Sequence, residues 1–143
     1  MTDFFFLLYF IRFFYVHLQK KKMMTFDEDI IQQVWNKGLV QKGYDPDSAR
    51  KDACGAWMLR NQYGNTDSIF GWEIDHVLPK TKGGTNDLIN LRPMQWQNNR
   101  SKGDDYPSYT ACVKSNGNEN LIVESQFTVN SSLQQQLMNL ISR

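Results

Sequence analysis

The sequence predicts a small single domain of the α+β class. Apolar residues repeat at helical spacing near residues 30–35 and again at 133–141, while residues 109–127 hold two β-like runs around an Asn-Gly turn. Between them, residues 72–104 read as a strand, a glycine-containing loop and a helix. A chain of 143 residues is long enough for one modest hydrophobic core.

Residues 1–23 read as an apolar and basic extension that precedes the domain. Residues 4–16 are apolar apart from Arg12, and a helix that spans a membrane needs about twenty apolar residues. The lysines follow this run instead of preceding it, which is the reverse of a signal peptide. Because methionines stand at positions 23 and 24, we expect translation to begin at one of them, with a short membrane anchor as the alternative.

The domain itself is expected at residues 24–143, with a motif core at 52–107 and a C-terminal hairpin and helix at 108–143. The whole chain has a formal charge of +1, of which residues 1–23 contribute +3. Overall charge therefore gives no argument for a nucleic-acid partner. Two cysteines stand far apart, at positions 54 and 112, which predicts neither a disulfide framework nor a structural zinc site.

Two helices are predicted before the central stretch. Thr25 and Glu28 have the spacing of a capping box, so the first helix is expected to start there and to stop at Gly38. Asp45 followed by Pro46 predicts a second short helix that runs to residue 50 or 51. The apolar face of the first helix, which we expect to pack in the core, has four members: Ile30, Ile31, Val34 and Trp35.

Two strands and a helix are predicted to make the central unit. The first strand is expected at residues 52–58, and the second ends at Asp75 and His76, with Pro79 supporting that ending. We expect these two strands to pair with each other. A helix over residues 94–100 follows, and its exposed end is expected to present four polar residues: Asn98, Asn99, Arg100 and Lys102.

A loop and a tail complete the predicted elements. Gly83 and Gly84 predict a loop in which the backbone can take positive φ, and Asn90 is expected to close a short helical turn after it. The Asn-Gly turn at residues 116–117 predicts a hairpin, and a final helix is expected after residue 130 or 131. The sequence leaves two roles open for this tail, which are covering the back of the central unit and recognising a partner.

The central stretch has the composition of a site that cleaves phosphodiesters. The Asp75 carboxylate and the Asn99 amide oxygen are hard ligands suited to a divalent cation. His76 carries the side chain best able to take a proton from water near neutral pH. Residues 76–104 are also locally basic, with five cations against two acidic residues: Lys80, Lys82, Arg92, Arg100 and Lys102 against Asp87 and Asp104.

Four motif pieces follow one another in a recognisable order and spacing: Asp75-His76-x-x-Pro79, Gly83-Gly84, Asn90-Leu91 and Asn99-Arg100-x-Lys102. Together they resemble the HNH endonuclease family, whose ββα-metal unit is a nuclease site. Because Asn99 stands where many members have histidine, the chain is similar to HNN variants such as the HNH domain of the RNA-guided CRISPR nucleases. That similarity implies one Mg²⁺ or Mn²⁺ ion rather than Zn²⁺.

The resemblance implies a role for each matching residue. His76 matches the general base and Asp75 a metal ligand, while Asn99 matches the second metal ligand. Asn90, fourteen positions after His76, matches the residue that ties the loop together and helps to orient the base.

Several assignments stay open at this stage. Arg100 and Lys102 are expected to contact the substrate backbone, although both can be ordinary solvated charges. Asn98 is a second candidate for the role given to Asn99. Glu73 alternates with the predicted aspartate ligand on one strand face and can be a further ligand, but a solvent-facing side chain is the favoured interpretation.

These residues predict a divalent-metal-dependent endonuclease that hydrolyses nucleic-acid phosphodiester bonds, with DNA as the expected substrate and no small-molecule cofactor. The alternatives are a non-catalytic nucleic-acid-binding module on the same fold, and a toxin effector that cleaves RNA or DNA. Nothing in the sequence indicates an oligomeric state. We expect a cytoplasmic protein of bacterial or phage type that does not associate with membranes.

Overall fold

The computed structural model describes residues 7–9, 11 and 25–143. The chain divides into two compact units, residues 1–30 and residues 31–143. Residues 7–9 and 11 are helical, and the rest of the predicted N-terminal extension lies outside the described residues, as does the predicted start of translation. No helix in the described ranges is long and apolar enough to cross a membrane.

Residues 25–143 contain both helices and antiparallel strands, which confirms the α+β class. The α-helices in this range are α1 (Glu28–Trp35), α2 (Trp96–Lys102) and α3 (Ser131–Ile141). The strands pair in sequence order as three two-stranded sheets: β1 (Ala49–Lys51) with β2 (Trp57–Leu59), β3 (Trp72–His76) with β4 (Leu91–Gln95), and β5 (Ser108–Asn116) with β6 (Glu119–Thr128).

Helix α1 forms close to its predicted position. Asp27 precedes the first helical residue, and its Oδ1 accepts a hydrogen bond of 2.9 Å from the N–H of Ile30. Asp27 therefore takes the N-cap position that the sequence predicted for Thr25. Three members of the predicted apolar face are buried in the core: Ile31, Val34 and Trp35.

The predicted short helix after Asp45 is wrong. Asp45 does cap a turn, because its Oδ1 accepts from the N–H of Asp47 at 2.9 Å, but the chain then extends into β1. A single turn is too short to be stable as a helix on its own. The extended course is held by the Arg50 guanidinium, which donates at 2.8 to 3.2 Å to three carbonyl oxygens: those of Asn36, Gly38 and Pro46.

Strand β3 ends at His76 as predicted, but its partner differs from the prediction. The segment expected to pair with it overlaps β2, which pairs with β1 instead. The partner of β3 is β4, in a register that sets Asp75 opposite Arg92 and His76 opposite Leu91. The central unit is therefore strand, strand, helix, built from β3, β4 and α2.

Helix α2 begins later than predicted. Residues 94 and 95 belong to β4, and the helix covers Trp96–Lys102. The Gln95 side chain caps it, since its Oε1 accepts from the N–H groups of Gln97 and Asn98 at 2.9 and 3.0 Å. Pro93 lies in β4 without an N–H to donate, which an edge strand tolerates. Local helix propensity in this segment is thus overridden by pairing with β3.

The loop between β3 and β4 follows the prediction. Gly83 has φ of +92°, and a short 3₁₀ turn covers Leu88–Asn90. Gly84 is required for space, because a Cβ built on it would lie 1.7 Å from the carbonyl oxygen of Leu78.

The C-terminal hairpin and helix also follow the prediction. Gly117 in the hairpin turn has φ of +59°, and Asn130 Oδ1 caps α3 by accepting from the N–H of Leu133 at 2.8 Å. The tail shares one buried cluster with the central unit: Cys54, Val77, Leu78, Met94, Tyr109, Ala111, Val129 and Leu137. Of its two predicted roles, the structure shows that it covers the back of the central unit.

Candidate active site

Asp75 is an almost fully buried carboxylate at the end of β3, with 3% of its surface exposed. Its Oδ2 lies 2.8 Å from Nε of Arg92, and its Oδ1 lies 3.2 Å from Nζ of Lys102. A buried charge is stable only when it is paired, and these two cations pair it. The three side chains together carry a net charge of +1.

The pKa values in this cluster follow from burial and pairing. Burial is the largest single influence on the pKa of Arg92 and lowers it, but the attraction of Asp75, its hydrogen bond and the smaller contributions of Tyr109 and Cys54 together raise the pKa. For Lys102 burial dominates, and the pKa is lowered in spite of Asp75. Arg92 Nη2 is also a buried donor without a hydrogen-bond partner among the described residues. Of the two cations beside Asp75, Arg92 is the one whose pKa is raised, so it is the one whose positive charge the surroundings stabilise.

His76 is held at both its ring and its main chain. Its Nε2 lies 2.8 Å from Oδ1 of Asn86, which follows the glycine loop. Its carbonyl oxygen accepts a hydrogen bond of 3.1 Å from Nζ of Lys102. The side chain is half-buried, so the imidazole lies at the molecular surface.

Asn90 closes the loop from inside, as the resemblance implies. It is fully buried, and its Oδ1 accepts from the N–H of Leu78 at 2.8 Å. Its Nδ2 donates to the carbonyls of Leu78 and Thr85 at 3.0 and 2.9 Å. The Asn90 side chain thus accepts one hydrogen bond and donates two, and these three bonds join the two ends of the loop. Asn86, four residues before Asn90 in the same loop, contacts the His76 ring.

Asn98 and Asn99 differ completely in their surroundings. Asn98 is fully buried, and its side chain bonds to Asp52 and to the main chain of β5. Asn99 is only half-buried, and its Nδ2 lies 3.5 Å from Oε1 of Glu73 on β3. The expectation that Asn98 lies at an exposed helix end is wrong, because its side-chain amide forms hydrogen bonds with Asp52 and β5 in the protein interior. Of the two, Asn99 is the one with an oxygen to offer.

Glu73 is turned toward helix α2. Its Oε1 lies 3.5 Å from both Nδ2 of Asn99 and Nε of Arg100, and its side chain is 16% exposed. The favoured prediction of a solvent-facing Glu73 is therefore wrong. Because Glu73 alternates with Asp75 along β3, one face of the strand carries two carboxylates toward the helix.

Arg100 and Lys102 do not share one environment, although the sequence treated them alike. The Arg100 side chain is 60% exposed, as predicted for the exposed end of the helix. Lys102 is 1% exposed, and its ammonium faces Asp75 and the His76 carbonyl. The expectation that Lys102 lies at an exposed helix end is wrong, because its ammonium group pairs with the buried carboxylate of Asp75.

The donor chemistry fits a hard divalent cation. A carboxylate has about four acceptor positions, and the two cations beside Asp75 use one on each oxygen. Asn99 adds a neutral amide oxygen, and such oxygen ligands with waters suit Mg²⁺. Among the described residues, no three His, Cys, Asp or Glu side chains are grouped as a metal site. The two predicted ligands, Asp75 and Asn99, are one carboxylate and one amide, and a site built on them needs waters for its remaining ligands.

Lys37 supports the site and was missed by the sequence analysis. Its Nζ donates to the carbonyl of Leu88 and, at 2.7 Å, to that of Leu91, which flank Asn90. Burial lowers the pKa of Lys37. A lysine next to Gly38 has the ordinary signature of a helix end, so no local signal could have identified this contact.

Comparison with known proteins gives no relative. No family model matches the chain, and no curated protein or solved structure matches it either. A function must therefore be inferred from its own residues and their geometry.

Proposed function

We propose that this chain is a divalent-metal-dependent endonuclease of the HNH type, which hydrolyses phosphodiester bonds in nucleic acid, with DNA as the expected substrate. The observation that carries this proposal is the assembly of β3, β4 and α2. His76 stands at the end of the first strand, Asn90 locks the loop, and Asn99 faces the strand from the helix. This is the order of parts expected of a ββα-metal unit.

In this reaction His76 takes a proton from water, whose oxygen then bonds to phosphorus. The bond from phosphorus to the leaving sugar oxygen breaks, and that oxygen takes a proton from solvent. Asp75 and Asn99 would hold the metal ion, which when bound neutralises charge on the phosphate and on the leaving oxygen. Arg100 reaches the substrate backbone with its exposed guanidinium.

We assign Lys102 a supporting role instead of the direct backbone contact that its position in sequence suggested. Its ammonium links the carboxylate of Asp75 to the main chain of His76. The base and the neighbouring ligand are therefore held relative to each other. The local surplus of positive charge also attracts a phosphate before any metal is bound.

The test is nicking of supercoiled plasmid DNA by the purified chain with Mg²⁺, Mn²⁺ or a chelator. Metal-dependent nicking is expected, and His76→Ala should lower its rate by at least about a hundredfold because the general base is lost. Asn118→Ala, an exposed asparagine in the hairpin turn, is the control and should retain full activity.

Two results would count against the proposal. If folded protein nicks neither DNA nor RNA with either metal yet still binds nucleic acid, the fold serves as a binding module. If His76→Ala and the wild type nick equally fast, the activity belongs to another site or to a contaminant.

A further inference from the structure

The tip of the C-terminal hairpin holds an asparagine that differs from the others in its surroundings. Every asparagine in residues 25–143 except Asn116 and Asn118 uses its side chain in a hydrogen bond. Asn116 is exposed at the end of β5, and it is the one asparagine that a glycine follows. Within the described residues the N–H of Gly117 donates no hydrogen bond, whereas its carbonyl oxygen accepts one of 2.7 Å from Nε1 of Trp57.

We propose that Asn116 is a site of spontaneous deamidation, which converts it into aspartate and isoaspartate. The main-chain nitrogen of Gly117 attacks the side-chain carbonyl carbon of Asn116, and a five-membered succinimide ring closes. The bond from that carbon to the side-chain nitrogen breaks, and this nitrogen leaves as ammonia with the proton that Gly117 gives up. Water then opens the ring at either of its two carbonyl carbons, so no oxidant or cofactor takes part. This chemistry is independent of the proposed endonuclease activity.

The hairpin turn favours ring closure at this asparagine. Gly117 has no side chain to crowd the attacking nitrogen. The pair of Asn116 with Glu119 is the last one of the β5–β6 ladder, so only one cross-strand pair must open before the Asn116 main chain can rotate. Local opening costs least at such an end. Asn118 shares the turn and is also exposed, but the residue that follows it is Glu119, whose side chain crowds the attack.

The modification has a structural consequence for the tail. Either product sets a carboxylate opposite Glu119, and like charges directly opposite each other in an antiparallel pair are destabilising. Isoaspartate also lengthens the main chain by one carbon atom at this position. The next pair of the ladder contains Asn120, whose side chain bonds to both the N–H and the carbonyl of Trp57. Deamidation should therefore weaken the contact between the hairpin and β2.

The experiment incubates the folded full chain at mildly alkaline pH, where loss of the attacking N–H proton is easier. The tryptic peptide that begins at Ser115 is then fragmented in a mass spectrometer, which locates each side chain whose NH₂ has become OH. Asn116 should be modified at least about tenfold faster than Asn118, because a glycine follows only the first of them. In Asn116→Gln the early gain in mass should disappear, since glutamine would have to close a larger ring.

A sample in urea gives the rate for the unfolded chain. Modification of Asn116 in urea but not in the folded chain would overturn the proposal, because the hairpin would then protect the residue. Equal rates at Asn116 and Asn118 in the folded chain would overturn it as well. Both readouts are independent of nicking, so failure of the endonuclease proposal would leave this one standing.

The consequence for stability is tested with Asn116→Asp, which carries the charge of the product. It should lower the Tm by about 1 to 3 °C, since a like charge then faces Glu119. Asn118→Asp places the same charge one turn position away and is the matched control, with a smaller shift expected. In a Glu119→Gln background Asn116→Asp should no longer lower the Tm. A loss that persists in that background would refute the charge repulsion between these two positions.

Discussion

Asn98 and Asn99 are adjacent and chemically identical, yet the structure gives them different surroundings. Asn98 Oδ1 accepts from the N–H groups of Cys112 and Val113 at 2.9 and 2.8 Å, where β5 carries an irregularity in its pairing with β6. Asn99 faces Glu73 across the helix–strand interface. The first amide serves the fold, and we assign the second to the metal.

Replacing each of these asparagines with alanine should separate stability from activity. Asn98→Ala leaves two main-chain N–H groups without their acceptor and should lower the free energy of unfolding by at least about 2 kcal/mol. Asn99→Ala removes a half-buried amide with one long contact, and should cost less than about 1 kcal/mol. Urea unfolding followed by circular dichroism measures both values.

The nicking assay should give the opposite ranking. Asn99→Ala should lose at least about tenfold in rate at limiting metal, because a ligand is removed. Asn98→Ala, assayed at a temperature where it is folded, should keep most of its activity. If Asn98→Ala is the inactive variant and Asn99→Ala is not, the ligand assignment is wrong.

Local sequence was sufficient for some site residues and not for others. The strand end at His76 and the loop closure by Asn90 could be predicted, because both depend on residues within one short segment. The pairing of Asp75 with Arg92 depends on β4 being the partner of β3, whereas the sequence predicted residues 52–58 as that partner. Burial of Lys102 likewise depends on where α2 packs, and no local pattern distinguishes it from a solvated lysine.

At the scale of elements, Asp52 joins three parts of the domain. Its Oδ1 accepts from the N–H groups of Cys54 and Ala56 in the turn between β1 and β2, both at 2.9 Å. Its Oδ2 accepts from the N–H of Gln95 at 3.0 Å and from Nδ2 of Asn98 at 3.1 Å. Burial raises the pKa of Asp52, and these four donors oppose that rise. Each oxygen therefore faces two donors.

An isosteric change at this position should be destabilising. In Asp52→Asn, either orientation of the amide turns an NH₂ group toward two N–H donors and leaves both without an acceptor. We expect a loss of at least about 2 kcal/mol in the free energy of unfolding, measured by chemical denaturation. Asp47→Asn is the exposed counterpart and should change stability by less than about 0.5 kcal/mol. Equal stability of the wild type and Asp52→Asn would mean that the carboxylate is not the acceptor at this junction.

The misassigned elements share one cause. The start of α2 was expected at residue 94 because Met94 to Arg100 suits a helix, but β4 extends to Gln95 to complete pairing with β3. Cross-strand partners are remote in sequence, so neither propensity nor spacing could reveal them. The first and last helices lie close to their predicted positions because their apolar faces and cap residues lie within each segment, although the first helix is capped by Asp27 instead of Thr25.

Across the whole molecule, the C-terminal tail is part of the same fold as the candidate site. Asn120 on β6 bonds to both the N–H and the carbonyl of Trp57 on β2, at 2.8 and 2.9 Å. Ser101 on α2 donates to the carbonyl of Thr110 on β5 at 2.7 Å. The tail also supplies Tyr109, Val129 and other members of the core cluster.

A chain that ends at residue 107 should therefore fail to fold as a cooperative unit. It would expose the apolar side chains of Val77, Leu78 and Met94 and leave the side chain of Asn98 without its β5 partners. Thermal unfolding followed by circular dichroism should show a sigmoidal transition for the full chain and none for the shortened one. A chain that ends at residue 141 is the control. A cooperative transition in the 107-residue chain would show that the central unit is independent of its tail.

The absence of space at Gly84 has a consequence for protein engineering. The backbone there approaches the Leu78 carbonyl so closely that even a methyl group has no room, and Asn90 fastens the same loop from inside. A designer who wishes to append a targeting module should therefore avoid the loop between β3 and β4. The hairpin turn at Asn118 is exposed and lies in another sheet, so an inserted module there would leave the loop path and His76 as they are.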